Sequence, residues 1–285
     1  NCYKQGWHAK KDFKTAVLWY EKAAAQGNAA AQRSLGYCYE FGQGVKKDMK
    51  KAAVLYEQGA NGGDPDAQRN IATCYKRGEG VPVDLKKALS WYIKAAKQNH
   101  PLAQSMLGDF YSKGLGVPQD LKKAFYWYKK AANLNDGNAQ NSLGGCYYNG
   151  NGVEKDYAKA VFWYQKAAEQ GESSAFYNLG ICYEYGNGAE KDTKKAADYY
   201  AEAAERGSIG GQYAIGNCYF YGIGVDEDEE KAALYLKPSA ESGHMDAQYL
   251  LGRCYESSED LEQAVYWYTK AAKQGQDEAQ YDLAC

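Results

Sequence analysis

Cysteine and histidine are the residues of this chain whose types could do chemistry, so their spacing comes first. Cys2, Cys38, Cys74, Cys146, Cys182, Cys218 and Cys254 recur on one 36-residue period, with Phe110 at the one step that lacks a thiol. A zinc site needs closely spaced pairs such as CxxC or Cys/His, and the chain has neither. Equivalent positions in stacked helices stand roughly 9–10 Å apart, beyond the roughly 7 Å between Cα atoms that a disulfide spans. The cysteines therefore read as small apolar fillers beside tyrosine. Unpaired thiols favour a reducing compartment, hence the cytoplasm. The periplasm, the ER lumen and secretion stay open, because Asn1 is not a start methionine.

His8, His100 and His244 are too widely separated in the repeat order to activate one of these thiols as a nucleophile. Gly-x-Gly runs such as Gly78-Glu79-Gly80 follow helical rather than strand patterns, and lack both GxGxxG and a Walker lysine. They read as turns. Asp226-Glu227-Asp228-Glu229-Glu230 lacks the ligand spacing of a calcium loop; it places favourable negative charge at a helix start. Lys50-Lys51, Lys86-Lys87, Lys122-Lys123 and Lys194-Lys195 form a basic ladder at successive helix starts. With a net charge of −2 it reads as a solvated edge rather than a nucleic-acid surface. No catalytic residue, cofactor or metal ion is expected, and no apolar run of about 18 residues is present to cross a bilayer.

The elements that position these residues follow from the same period. Tyr39, Tyr75, Tyr111, Tyr147, Tyr183 and Tyr219 lie 36 residues apart, and Tyr3 and Tyr255 extend the ladder. The chain is a tandem array. In one repeat, residues 65–100, Ala67, Ile71, Cys74 and Tyr75 make one helical stripe, helix A. Gly78 ends it. Asp84 caps a second helix, B, whose stripe is Ala88, Trp91, Tyr92, Ala95 and Ala96. Asn99 stands where Gly27, Gly171, Gly207 and Gly243 stop other B helices. Gly36, Gly108, Gly144, Gly180, Gly216 and Gly252 share one position inside helix A. A mid-helix glycine costs about 1 kcal/mol against alanine, so a large aromatic of helix B is expected to approach closely there. One hairpin cannot bury its stripe alone; stacking repeats can.

Ala139-Gln140, Leu143-Gly144, Tyr147, Gly150-Asn151-Gly152-Val153, Asp156, Lys159-Ala160, Trp163-Tyr164, Lys166-Ala167-Ala168 and Gly171 together resemble the Sel-1-like repeat family, tetratricopeptide relatives with a longer loop between helices. The resemblance runs over essentially the whole chain. It implies an all-α, right-handed superhelical α-solenoid of about eight 36-residue antiparallel helix pairs. Family members act as protein-binding adaptors on a concave face. Cysteine-rich secreted members staple helix A to helix B, which this chain cannot do, having no second cysteine in each helix B. Some of those members bind or hydrolyse β-lactams, but no Ser-x-x-Lys motif is present here.

The repeats are set at 1–28, 29–64, 65–100, 101–136, 137–172, 173–208, 209–244 and 245–276, with 277–285 opening a further one. The first keeps Tyr3, Gly6, Asp12, Ala16 and Trp19 but lacks most of helix A. The seventh has Pro238 inside helix B, where loss of an N–H should kink it. The eighth lacks the glycine loop, so its hairpin should be tighter. Neither end reads as a polar cap, and the chain is expected to belong to a longer array or multidomain protein.

Partner contacts are expected on the helix A face turned away from the Ala67/Ile71/Cys74 stripe. In repeats five to eight that face carries Tyr148, Tyr177, Ile181, Glu184, Tyr185, Tyr213, Asn217, Phe220, Tyr221, Tyr249 and Arg253. Aromatics and arginine are the types enriched at binding hot spots. A groove there is expected to take an extended or helical peptide. The alternative for Tyr177, Tyr213 and Tyr249 is packing against a neighbouring helix. A secondary, basic region holds Arg33, Tyr37, Arg69 and Arg77. The chain thus reads as a non-enzymatic protein-interaction scaffold, or alternatively as the regulatory array of a larger enzyme or signalling protein.

Overall fold

The computed structural model describes residues 12–284, so Cys2, Tyr3, Gly6, His8 and Cys285 lie outside the described residues. Sixteen helices are present among them. Repeat one contributes α1 (Phe13–Ala25), repeat two α2 (Ala29–Phe41) and α3 (Met49–Asn61), repeat three α4 (Pro65–Arg77) and α5 (Leu85–Lys97). Repeat four contributes α6 (Pro101–Lys113) and α7 (Leu121–Asn133), and repeat five α8 (Gly137–Asn149) and α9 (Tyr157–Ala168). Then follow α10 (Ser173–Tyr185) with α11 (Thr193–Glu205), α12 (Ile209–Tyr221) with α13 (Glu229–Glu241), and α14 (Met245–Ser257) with α15 (Leu261–Lys273). A short α16 (Asp277–Asp282) comes last. The protein is an all-α solenoid of helix pairs. Packing divides it into two compact halves, with the boundary inside α8 between Ala139 and Gln140. Within each half, successive helices pack on each other, and helix A of one repeat also touches helix A of the next, as α2 does α4 and α10 does α12.

The tyrosine ladder has a double task. The carbonyls of Tyr39, Tyr75, Tyr111, Tyr147, Tyr183 and Tyr219 each accept the backbone N–H of the following helix B cap, Asp48 to Asp228, at 2.9 Å. The rings face the lysine three residues after that cap: Lys51 over Tyr39 at 5.3 Å, Lys87 over Tyr75 at 5.1 Å, Lys195 over Tyr183 at 4.1 Å. The cap carboxylate accepts from that same lysine's backbone N–H, as Asp84 does from Lys87 at 2.9 Å. One lysine of each pair in the basic ladder is thus held over a ring as well as facing solvent.

Five of the helix A glycines, Gly36, Gly108, Gly144, Gly180 and Gly252, meet a tyrosine of helix B, whereas Gly216 meets Leu236, an aliphatic side chain that fills the same gap. A Cβ at Gly36 would fall 2.8 Å from the Tyr56 ring, and one at Gly180 would fall 2.4 Å from that of Tyr200. In the turn, Gly78 closes α4 at φ +76°, while a Cβ on Gly80 would strike the Met49 carbonyl of the preceding helix B at 2.0 Å. Asn99 and Asn135 adopt the same positive φ that glycine supplies in other repeats. The helix of repeat seven continues unbroken through Pro238. Leu234, four residues earlier, is 69% exposed, so the carbonyl that loses its donor lies on the solvent side of the helix. Repeat eight joins α14 to α15 through three residues, with Glu259 at φ +62°.

Candidate functional site

In the C-terminal half, a cleft of about 250 Å³ opens between α10 and α12. Six of the residues expected to face a partner line it: Tyr177, Ile181, Glu184, Tyr185, Tyr213 and Asn217. Tyr200 of α11 forms part of its wall, and its hydroxyl donates to the Glu184 carboxylate. Helical spacing alone assigned the helix B tyrosines to the core. They are buried there, and their hydroxyls also reach side chains of helix A, because a phenol is long enough to cross the hairpin at the glycine. The same arrangement recurs as Tyr268 donates to Glu256 at 2.6 Å, Tyr128 to Asp109 at 2.7 Å, and Tyr56 to Glu40.

The expected tyrosines, Tyr177, Tyr185 and Tyr213 in the cleft and Tyr221 and Tyr249 outside it, are part wall and part surface. Tyr177 leans on Tyr200 with ring centroids 5.8 Å apart, Tyr213 stacks on His244 at 4.4 Å, and Tyr249 leans on Tyr268 at 5.8 Å. Each is half-buried. Burial pushes the Tyr177 phenol up and raises that of Tyr213 to about 12. The Glu184 carboxylate, followed by burial, raises Tyr185. These hydroxyls therefore stay protonated donors near neutral pH. Tyr185 and Tyr221 are the open rings, 65% and 51% exposed.

The remaining expected residues lie outside this cleft. Phe220 requires a correction: it does not point outward but is 6% exposed, buried among Leu236, Leu250, Leu251 and Cys254, with the Arg253 guanidinium over its ring at 5.0 Å. Packing of the following repeat covers it. Tyr148 meets Tyr157 edge-on at 5.0 Å and its hydroxyl accepts from Asn187 at 2.9 Å.

In the N-terminal half, a separate cleft of about 500 Å³ is lined by all four residues of the expected basic region, Arg33, Tyr37, Arg69 and Arg77. Its charge is more balanced than the sequence suggested. Arg33 pairs with Asp64 at 3.1 Å and Asp66 at 3.6 Å, and Arg77 with Glu79 at 3.7 Å. His100 caps α6 through Nδ1 and holds Asp66 through Nε2 at 3.1 Å. His244 caps α14 in the same way, so both described histidines have structural partners. The described thiols, Cys38, Cys74, Cys146, Cys182, Cys218 and Cys254, are all buried. No cluster of three or more metal-binding side chains occurs among the described residues. None of the described helices is long and apolar enough to cross a membrane.

Paired helices, glycine turns and clefts on the helix A face define a repeat solenoid. The Sel1 repeat model matches residues 1–28, 29–64, 65–100, 101–136, 137–172, 173–208, 210–244 and 246–276, and the chain belongs to the Sel1 repeat family. It is similar to c5321, a protective antigen present in uropathogenic Escherichia coli strains that displays an SLR fold, at 36% identity and TM-score 0.83. That match covers 94% of this chain and 58% of the antigen, so the chain spans under two thirds of that relative's length. A Sel1 repeat protein from Oxalobacter formigenes is similar at 34% identity and TM-score 0.76, over 94% of this chain and 79% of that one. No match was found among curated proteins.

Proposed function

We propose that the chain is a non-enzymatic scaffold that holds a protein partner on its helix A face, with the tyrosine cleft between α10 and α12 as the principal contact. The observation that carries this reading is convergence. Six side chains placed on one face by period alone line a single concave site that includes the open ring of Tyr185, and Tyr221 is a second open ring on the same helix as Tyr213 and Asn217. A prefolded helical face loses little conformational freedom on binding. Rigid tyrosines add apolar area and protonated hydroxyl donors. An extended or helical peptide segment fits such a face. The buried, unpaired thiols of Cys74, Cys146, Cys182, Cys218 and Cys254 support residence in a reducing compartment such as the cytoplasm; recovery of the protein only from an exported fraction of source cells would refute that part.

The test is a pull-down from source-cell lysate, comparing wild type with Tyr185→Ala/Tyr221→Ala. Phe220 is left intact because its loss would open the core. Both proteins are first shown to melt at similar temperatures. A partner kept by the wild type and lost by the variant is the expected result. Equal capture by both moves the site elsewhere on the face, and capture by neither removes the scaffold reading of this half.

A further inference from the structure

The N-terminal cleft holds a cation with no direct ion pair. Arg69 stands at its centre on α4, half-buried, and its Nε is buried without a hydrogen-bond partner. Among the described residues no acceptor reaches its guanidinium. The neighbouring charges are engaged otherwise: Arg33 by Asp64 and Asp66, Arg77 by Glu79, and Glu40 by the Tyr56 hydroxyl. Lys76 has only the Met106 sulfur, at 3.9 Å. The lining carries Arg33, Arg69, Lys76 and Arg77 against the carboxylates of Glu40, Asp66 and Glu79, a formal surplus of one positive charge, and Arg69 and Lys76 are its cations without an ion pair.

A desolvated donor left unpaired lowers stability. Here that donor is a planar fork, the geometry that suits a carboxylate bidentately. Beside it the Thr73 and Tyr92 hydroxyls lie 3.0 Å apart. Leu102 and Met106 supply an apolar wall, and Phe41 is an open ring at the rim. A volume of about 500 Å³ lies within the range of ordinary ligand sites, roughly 300–1,000 Å³.

We propose that the cleft between α2, α4 and α6 takes an acidic peptide segment, one carboxylate pairing with the Arg69 guanidinium and a nearby one with Lys76. Apolar walls beside a localised charge suit a peptide, whose side chains alternate in character along a short length. The site is independent of the tyrosine cleft.

The 285-residue chain and its Arg69→Gln variant are each panned against a phage-displayed library of random dodecapeptides at low salt. The wild type is expected to enrich peptides rich in Asp and Glu, and Arg69→Gln to lose that enrichment. Replacing the acids of the best peptide by Asn and Gln should weaken binding about 30-fold or more, as for loss of one partner from a buried charge pair. Arg69→Gln should melt no lower than wild type, because it removes an unpartnered guanidinium; a purely structural arginine would give a drop. Tyr185→Ala/Tyr221→Ala should select the same acidic peptides, so that failure of either site shows separately. Enrichment without acidic bias, enrichment unaffected by Arg69→Gln, no enrichment, or a lower melting temperature for Arg69→Gln each overturns the proposal. A wild-type dimer dissolved by Arg69→Gln would put the acidic run 226–230 of a second copy in the cleft, and would also overturn it.

Discussion

Gln104 shows how one side chain in a repeat depends on its counterpart in the next. Its Nε2 donates to the Ala96 carbonyl at 3.1 Å, tying α6 to the end of α5, but its Oε1 is buried without a partner. Elsewhere the corresponding oxygen is served: Gln98 donates to Gln68 at 3.0 Å and Gln274 to Gln248 at 2.7 Å. The matching position for Gln104 is Leu134, which is 45% exposed. Leu134→Gln should stabilise the protein by about 1 kcal/mol, the usual net gain from such a bond. Urea denaturation checks this, and an unchanged or lower midpoint would refute it. Gly180→Ala should act in the other direction. Alanine gains about 1 kcal/mol of helix propensity. However, its Cβ would meet the Tyr200 ring at 2.4 Å, and overpacking costs typically 1–3 kcal/mol. A net loss of up to about 2 kcal/mol is expected from the same measurement. In repeat three this position is Ala72, and there the Tyr92 hydroxyl bonds to Thr73, with Lys76 standing where Glu40 and Glu184 stand in their repeats.

At the scale of the element, the glycine turn joins a hairpin to its predecessor, and its two glycines differ. Gly186 closes α10 at φ +72°, and a Cβ there would make only ordinary contacts. Gly188, at φ +80°, would place a Cβ 2.2 Å from the Tyr157 carbonyl of α9. Gly186→Ala should therefore cost about 1–2 kcal/mol, the left-handed strain alone. Gly188→Ala should cost about 3 kcal/mol or more, with strain and backbone clash together. Equal losses in thermal melts would show that the second glycine does not seal the repeats. The turn itself was legible in sequence, because glycine and a capping aspartate announce it locally. Its docking on the preceding helix was not, because Tyr157 lies far from Gly188 along the chain. Repeat eight, lacking the loop, forms the shorter hairpin its deletion implied.

At the scale of the whole molecule, the buried thiols and phenols make stability depend on alkaline pH. Burial raises Cys74, Cys182, Cys218 and Cys254 from 9.0 to about 12, and Cys146 to about 11. Tyr56 and Tyr200 are also raised, chiefly by burial and then by Glu40 and Glu184. Above about pH 9 unfolded thiols ionise while native ones keep their protons. The native state then binds more protons, and stability falls as pH rises. The melting temperature should hold up to about pH 9 and decline progressively toward pH 12, with a shallower decline in Cys182→Ala. A flat profile up to pH 11 would contradict the burial of these groups.

The sequence by itself determined the helix pairs, their period, the capping residues and which residues share one face of helix A. Those properties arise from local stripes and turn residues, which one repeat of chain contains in full. Only the tertiary structure decided which side chains on that face can be reached and which are satisfied. The same period that set Phe220 beside Tyr221 left one buried and the other open, and gave Arg33 acceptors but Arg69 none. Burial and hydrogen-bond partners come from the adjacent repeat, and its side chains vary even where the backbone repeats.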